Sequence, residues 1–586
     1  MVALPPAPSL FARPLAWLRA RFRASEGWFI LLAIAVGAAA GLLTVVQSQV
    51  AHAAQALLYG LGVDDRLSTQ PLVPLVALIW LPLGGLALGL SGWMIARTRT
   101  TPLIDVVEAN ALYGGRMSLR DSLIVCLQTL LSNGVGASVG LEAAYAQAGG
   151  GVASALGQRL KLRRHDLRTL VGAGAGAAIG AAFGAPLTGA FYAFEIVIGS
   201  YAPSMIAPVA AAALTSVITA RALGAAPYSI SVSVHQAPDV AAYLLYAGLG
   251  AVCAGVGIAI MRLVARTEQG LRGLALPAWL TPMIGGGVLA LLAYVSPQTL
   301  SSGHGALHAD LAMGASLGAL AFILLLKTTA SVVSLGFGFR GGLFFASLFL
   351  GSLVGQVYAQ LLSHLDLVLQ PENAALVGMG ALAVSIVGGP LTMSFLVLET
   401  TGDFGVTAAT LAASLVASTI VRERFGYSFS TWRLHLRGET IRSARDVGWI
   451  RTLTAGRMMR RDTATLAASA TLAEFRRKFP LGATTRVILL DDAQRYAGIV
   501  QTAKAYIEGG DLESPVATLA ESQDVTLSPD MNIEQVMRIF DQTETEELAV
   551  VDPQGAVLGL LAEAFASRRY AKELEKVQEG LFGERR

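Results

Sequence analysis

The sequence predicts an α-helical polytopic membrane protein built on an inverted-topology internal repeat, followed by a cytosolic α/β tandem domain. Three observations carry that prediction. The chain of 586 residues is 54% hydrophobic and only 14% charged, a composition that belongs to the membrane class. Three blocks recur in the same order about two hundred residues apart. Beyond about Leu434 the composition turns mixed-charge and soluble, and a second, shorter repeat begins.

The first repeat is read from its landmarks. Gly140-Leu141 with Ala144 and Gly149 is matched by Gly342-Leu343 with Ala346 and Gly351, at a constant offset of 202. Leu170-Val171-Gly172-Ala173-Gly174-Ala175 is echoed by Leu376-Val377-Gly378-Met379-Gly380-Ala381. Gly184-Ala185-Pro186-Leu187-Thr188 leads to Glu195, and Gly388-Gly389-Pro390-Leu391-Thr392 leads to Glu399, the proline preceding the acid by 9 residues in both. Duplicated apolar segments interrupted by Gly and Pro point to a transport site where the two copies meet.

The membrane segments follow in order. Apolar runs span Trp28–Val46, Pro71–Ile95, Leu167–Ile198, Val240–Ile260, Leu311–Leu326 and Ala374–Leu398. Each approaches or exceeds the ~20 residues that cross a bilayer. The 63 glycines suit helices that must approach closely where lipid supplies little hydrophobic drive. The expected layout is a segment 1–26, a membrane domain 27–430 with repeats 27–225 and 238–430, a linker 431–452, soluble modules 453–512 and 513–570, and a charged tail 571–586. Arg13, Arg19, Arg21 and Arg23 precede the first span, and Arg422, Arg424, Arg433 and Arg437 follow the last. The positive-inside tendency then places both ends in the cytoplasm and requires an even number of crossings. No cleavable signal is expected, because Trp28 opens a long apolar segment with no small-residue cleavage site before it. The net charge of +3 is too small to argue for nucleic acid. Cys126 and Cys253 sit in apolar surroundings without metal-type spacing and are expected in the core.

Glu142 is the candidate functional residue. It stands in a small-residue stretch, Ser132 to Ala144, inside the apolar half. An ionisable group at membrane depth marks a pathway by default. A carboxylate there fills an anion site when charged and vacates it when protonated. The second repeat supplies the complement: around Gly341-Gly342-Leu343-Phe344-Phe345 the glycines let the backbone bare its amides, and a helix starting there offers unpaired N–H groups. Such a site is weak enough for an ion to leave again. The pair His304 and His308 is the only metal-like spacing, with no third ligand, and Ser302-Gly303-His304-Gly305 reads as an exposed loop. No nucleophile, base and oxyanion set can be assembled, so an enzyme is not expected.

Taken together these motifs resemble the CLC chloride channels and transporters, over essentially the whole chain. In that family a Gly-x-Glu-x-Pro motif carries the gating glutamate. It is matched by Gly140-Leu141-Glu142-Ala143-Ala144, with Ala144 in the proline slot. Gly-x-Phe-x-Pro is matched by Gly342-Leu343-Phe344-Phe345-Ala346, again without the proline. The resemblance implies homodimers in a bacterial-type inner or plasma membrane, one pore per subunit, Glu142 and Tyr427 as gates, and chloride held by the amides of Leu343 and Phe344. It also implies no cofactor beyond the transported ion.

Two departures bear on mechanism. The family's chloride-coordinating serine falls on Arg99 in Thr98-Arg99-Thr100-Thr101-Pro102. Either a neighbouring hydroxyl such as that of Thr100 takes over, or Arg99 brings a positive charge to the inner mouth, or the loop is remodelled and Arg99 faces the cytosol. The internal proton-transferring glutamate of coupled members falls on Ile196, which carries no proton. The adjacent Glu195 reads as a structural acid rather than a relay. A passive glutamate-gated anion channel is therefore expected, with proton-coupled exchange as the alternative.

In the soluble part Thr465, Phe479, Val487, Asp491 and Gly498 return as Thr526, Phe540, Leu548, Asp552 and Gly559, each displaced by 61. Each unit reads as an amphipathic helix, a β-run, an acidic turn and a second strand. This resembles a tandem CBS pair. The family's nucleotide-binding acid is replaced in both copies, by Lys504 after Gln501 and by Phe565 after Ala562, so a structural or dimerising role is favoured over nucleotide binding.

Overall fold

The computed structural model describes Arg21 and residues 25–62, 65–99, 102–226, 239–274, 276–436, 453–507 and 511–570. The tail 571–586, most of the linker 431–452 and most of segment 1–26 lie outside the described residues. The chain divides into two compact units, Met1–Asp446 and Val447–Arg586, and each is described by itself.

In the first unit the repeat is visible element by element. Glu26–Tyr59 and Val240–Gly273 are both helices of 34 residues. Leu119–Gly134 is answered by Leu317–Gly336, Glu142–Arg159 by Phe344–Ser363, Arg164–Phe183 by Pro371–Val387, and Pro203–Ala222 by Phe404–Arg424. Even the caps correspond: Ser118 accepts from the N–H of Asp121 and Ser316 from that of Ala319, each closing the start of its helix as short hydroxyl side chains do. Among the described residues seven helices are long and apolar enough to cross a membrane, and shorter apolar helices fill in between. Together these form the α-helical polytopic, inverted-repeat fold.

Small residues decide how these helices cross. A methyl on Gly149 or Gly174 would run into the main chain of the other, and Gly351 and Gly378 stand in the same reciprocal relation in repeat two. The helix pairs therefore touch backbone to backbone, the geometry that small residues permit in membranes.

Two further devices join the repeats to each other. Glu195 accepts hydrogen bonds from the N–H groups of Leu391 (3.1 Å) and Thr392 (2.8 Å) and from the Thr392 hydroxyl (2.6 Å), capping the Pro390–Thr401 helix. Glu399 does the same for Leu187 (2.8 Å) and Thr188 (2.8 and 2.7 Å) at the Pro186–Tyr192 helix. Each acid satisfies orphan N–H groups and complements the positive end of a helix in the opposite repeat.

The second unit holds two matching α/β modules. β1 (Thr465–Ala467) pairs parallel with β2 (Arg486–Leu490), which pairs antiparallel with β3 (Tyr496–Gln501). β4 (Glu547–Val551) pairs antiparallel with β5 (Val557–Ala562). The register shifts at Leu489/Leu490 and again at Val550/Val551, the same point in both modules. Thr471 with Glu474 and Asn532 with Gln535 form capping boxes on the Leu472–Lys478 and Ile533–Thr543 helices, the sequence signature of a helix start. Ile488 and Ile499 pack with Ala549 and Leu560 between the two sheets. This is a tandem CBS arrangement.

Candidate functional site

The site begins with the chain between Leu119–Gly134 and Glu142–Arg159. Asn133 Nδ2 donates to the Val139 carbonyl (2.8 Å), and the Ser138 N–H donates to Ser334 Oγ (3.0 Å). Gly136 has φ +89°, with Tyr59 Oη 3.0 Å from where a Cβ would stand, so only glycine fits there. Gly140 then exchanges two main-chain hydrogen bonds with Gly342 (2.9 and 3.2 Å). That single bridge ties the two motif loops face to face.

From this bridge two helices start, one in each repeat: Glu142–Arg159 after Leu141 and Phe344–Ser363 after Leu343. Glu142 is only 3% exposed. Its carboxylate curls back over Gly140, leaving no room for a Cβ there. It accepts from its own N–H and from that of Phe345, so it occupies the amino end of the opposite helix, where an anion is favoured. Its Oε2 is buried with no hydrogen-bond partner.

A cavity of about 770 Å³ opens onto this point and is lined from both repeats, among others by Glu142, Ala143, Gly342, Leu343, Phe344, Tyr192, Asp105, Gln147, Arg99 and Arg340. Phe344 packs against Phe183 (ring centroids 5.3 Å apart) and Tyr192 (6.1 Å).

The other expected residues fall as follows. Arg99 lines the cavity, but its guanidinium is held by both oxygens of Asp121 (2.6 and 2.8 Å). Its charge is neutralised by a bidentate partner, so it is neither a bare cation at the mouth nor directed to open solvent. Thr100 lies outside the described residues. Tyr427, expected as an inner gate, is not among the residues lining the cavity. Its hydroxyl meets His435 Nδ1 (3.1 Å), and its ring stacks on His435 (4.5 Å) and packs near Trp432 (5.4 Å). Four rings, Phe425 included, gather there, in the tilted and offset arrangements aromatic pairs prefer. Phe429, Ser430 and Arg433 from the following helix face the cavity instead.

Glu195 and Ile196 lie in the π-helical turn Ala193–Ile198. Glu195 is committed to the Thr392 cap, and Ile196 is buried at 9% exposure. His304 is not in an exposed loop. It starts the helix His304–Met313, half-buried, with its ring stacked 3.5 Å from that of Phe345 and its Nδ1 2.6 Å from Ser302 Oγ. No cluster of metal-ligating side chains occurs among the described residues.

Sequence reasoning missed Tyr192, Asp105 and Lys327. Lys327 is fully buried, and its Nζ donates to the carbonyls of Thr299 (3.3 Å), Leu300 (3.4 Å) and Ser301 (2.7 Å). A lone lysine in the apolar run Leu317–Gly336 was the available signal, since such a charge is retained only when paired with polar groups.

Comparison with known proteins decides the family. A family model described as voltage gated chloride channel matches residues 84–422, more than half of the chain. The chain belongs to this family, the CLC proteins. A CBS domain model matches residues 516–564, within the second soluble module. Among curated CLC relatives, a putative chloride channel protein ClcB-like of Ralstonia nicotianae is 29% identical over 323 residues, 53% of this chain and 74% of that protein. A voltage-gated ClC-type chloride channel ClcB of Citrobacter koseri is 28% identical over 364 residues, 60% and 85% respectively. Among solved CLC structures, a slow cyanobacterial Cl⁻/H⁺ antiporter superposes with a TM-score of 0.61 at 22% identity, covering 70% of this chain and 97% of that one. A eukaryotic CLC transporter gives 0.56 at 18% identity, covering 94% and 98%. At these identities the structures speak to the CLC fold alone.

Proposed function

We propose that this CLC protein conducts chloride or a similar small anion passively across a membrane, with Glu142 as its gate. One observation carries the reading. The Glu142 carboxylate occupies the amino end of the Phe344–Ser363 helix on the Phe345 amide, at the end of a cavity lined by Leu343 and Phe344. The carboxylate thus stands where the permeating anion would be stabilised by the same N–H groups. When protonated it loses that attraction and yields the place. Gly140, Leu141, Gly342, Leu343 and Phe344 frame the anion path in this reading, while Tyr427 is left without a gating role. Support for passive conduction comes from position 196, an isoleucine, and from Glu195, whose three hydrogen bonds commit it to the cap.

Proton-coupled exchange is the second reading. It is favoured by Asp105 and Tyr192, which line the same cavity as Glu142 and supply acidic and hydroxylic groups along it. We also propose a homodimer in a bacterial inner membrane with both termini cytoplasmic. Family membership and the arginines at Arg422, Arg424 and Arg433 support this. Proteoliposomes separate the two transport readings. A chloride gradient should dissipate without moving protons, and uphill proton movement driven by chloride would overturn passive conduction.

A further inference from the structure

Among the described residues of the membrane unit, four tyrosines are buried: Tyr59, Tyr145, Tyr192 and Tyr246. Three of their hydroxyls find protein partners. Tyr59 donates to the Val135 carbonyl (2.7 Å), Tyr145 meets Ser48, and Tyr246 meets Asn373. Tyr192 Oη makes no hydrogen bond with a described residue, yet it is not one of the fully enclosed polar atoms. A hydroxyl left without a partner in a buried setting costs free energy and calls for a reason.

The open space beside Tyr192 is the cavity that ends at Glu142. The Tyr192 ring packs against that of Phe344 (6.1 Å). Leu343 and Phe344 line the same cavity, and their N–H groups, at the start of the Phe344–Ser363 helix, make no hydrogen bond with a described residue either. Three donors without acceptors therefore border one space. An anion is the ligand that takes several donors at once.

Tyr192 is held in place from both sides. It ends the Pro186–Tyr192 helix, whose start is capped by Glu399. The π-helical turn Ala193–Ile198 follows, an irregularity frequent at functional sites. That turn is tied down by Asn110 Nδ2, which donates to the Val197 carbonyl (2.9 Å), and by Arg168, which donates to the Ile198 carbonyl (3.1 Å). Next in the chain to Tyr192, Phe191 stacks on Phe395 of the opposite repeat (4.5 Å). A donor fixed this way needs no reordering when the ion arrives.

The acids within electrostatic reach of Tyr192 are Asp105 and Glu142. Asp105 is engaged in its own helix cap, accepting the Glu108 N–H (2.7 Å). Glu142 is the group that the anion replaces.

We propose that Tyr192 coordinates the permeating anion and sets its selectivity: the O–H donates to the ion together with the N–H groups of Leu343 and Phe344. This rests on the anion-path reading above.

The test is calorimetric binding of chloride and of thiocyanate to the purified protein in a Glu142→Gln background, where the carboxylate no longer competes. Adding Tyr192→Phe, which keeps the ring on Phe344, should weaken chloride about ten-fold, the size of one hydrogen bond to an ion. Thiocyanate, whose spread charge accepts hydrogen bonds weakly, should lose far less. Equal chloride affinity with and without Y192F would overturn the proposal. A loss in Thr129→Val or Ser430→Ala instead, two other hydroxyls on the cavity wall, would overturn it and name the replacement. Equal losses for both ions would overturn it as well, since that marks a distorted site and not a missing donor. An E142Q protein that binds no chloride at all would bring down the anion path itself, and Tyr192 with it.

Discussion

Glu195 and Glu399 each close the amino end of the helix that leads to the other. Glu195 caps the helix beginning at Pro390 and Glu399 the one beginning at Pro186. The two halves are thereby cross-braced by charge-assisted hydrogen bonds. Replacing either acid with alanine strips three acceptor contacts from a helix end. It should cost about 2–3 kcal/mol, read as a lower melting midpoint in detergent, with E195A and E399A alike. A Glu195→Gln variant that melts normally but alters proton flux would show that this acid serves transport.

Glu142→Gln should remove the pH dependence of anion flux in liposomes by abolishing the buried carboxylate held at the Phe345 amide. A pH response like the wild type's would take the gate away from Glu142.

Gly140→Ala should act like a loss of the gate without touching the acid. A Cβ there would fall on the Glu142 carboxylate, so the side chain must leave its seat. Basal flux at neutral pH should rise toward that of E142Q. Flux with an unchanged gate would mean the carboxylate tolerates the methyl.

Asp121→Asn should unmask Arg99 beside the cavity. Removing the partner's charge leaves a net cation on the wall, and apparent chloride affinity should rise roughly three-fold, measured as flux against chloride concentration. An affinity equal to the wild type's would place Arg99 outside the anion's reach.

In the soluble unit the Asp491 carboxyl is held below the usual carboxylate range, first by the Arg495 N–H and then by the Arg495 side chain and the Ala493 N–H. A depressed folded-state pKa contributes stability above the unfolded value of about 3.9 and loses it as pH falls through the lower, folded value. Asp491→Asn should therefore lower the unfolding midpoint of this unit at pH 7, and the difference should shrink below about pH 4. A gap that persists under acid would assign the effect to packing.

The parts of this protein that could be read in its sequence are those written as spacing. The 202-residue offset marks helices that cross through paired glycines, and the 61-residue offset marks two modules whose capping boxes recur at Thr471 and Asn532. Glu142 could be read because a carboxylate in apolar surroundings demands a reason. What escaped depended on partners distant in the chain. Nothing near Arg99 announces Asp121, and nothing near His304 announces Phe345. The surroundings of Tyr427 were hidden for a related reason: its packing against Phe425, Trp432 and His435 depends on the fold of the segment around it.

The glycine crossings at Gly149 with Gly174 and at Gly351 with Gly378 fix the positions of the helices that flank the acid. Where backbones meet directly there are no rotamers to reshuffle, so the walls around the acid form a stiff frame. Glu142 is almost fully enclosed, so a swing of its side chain has to displace the packed groups beside it while the backbone frame behind them holds still.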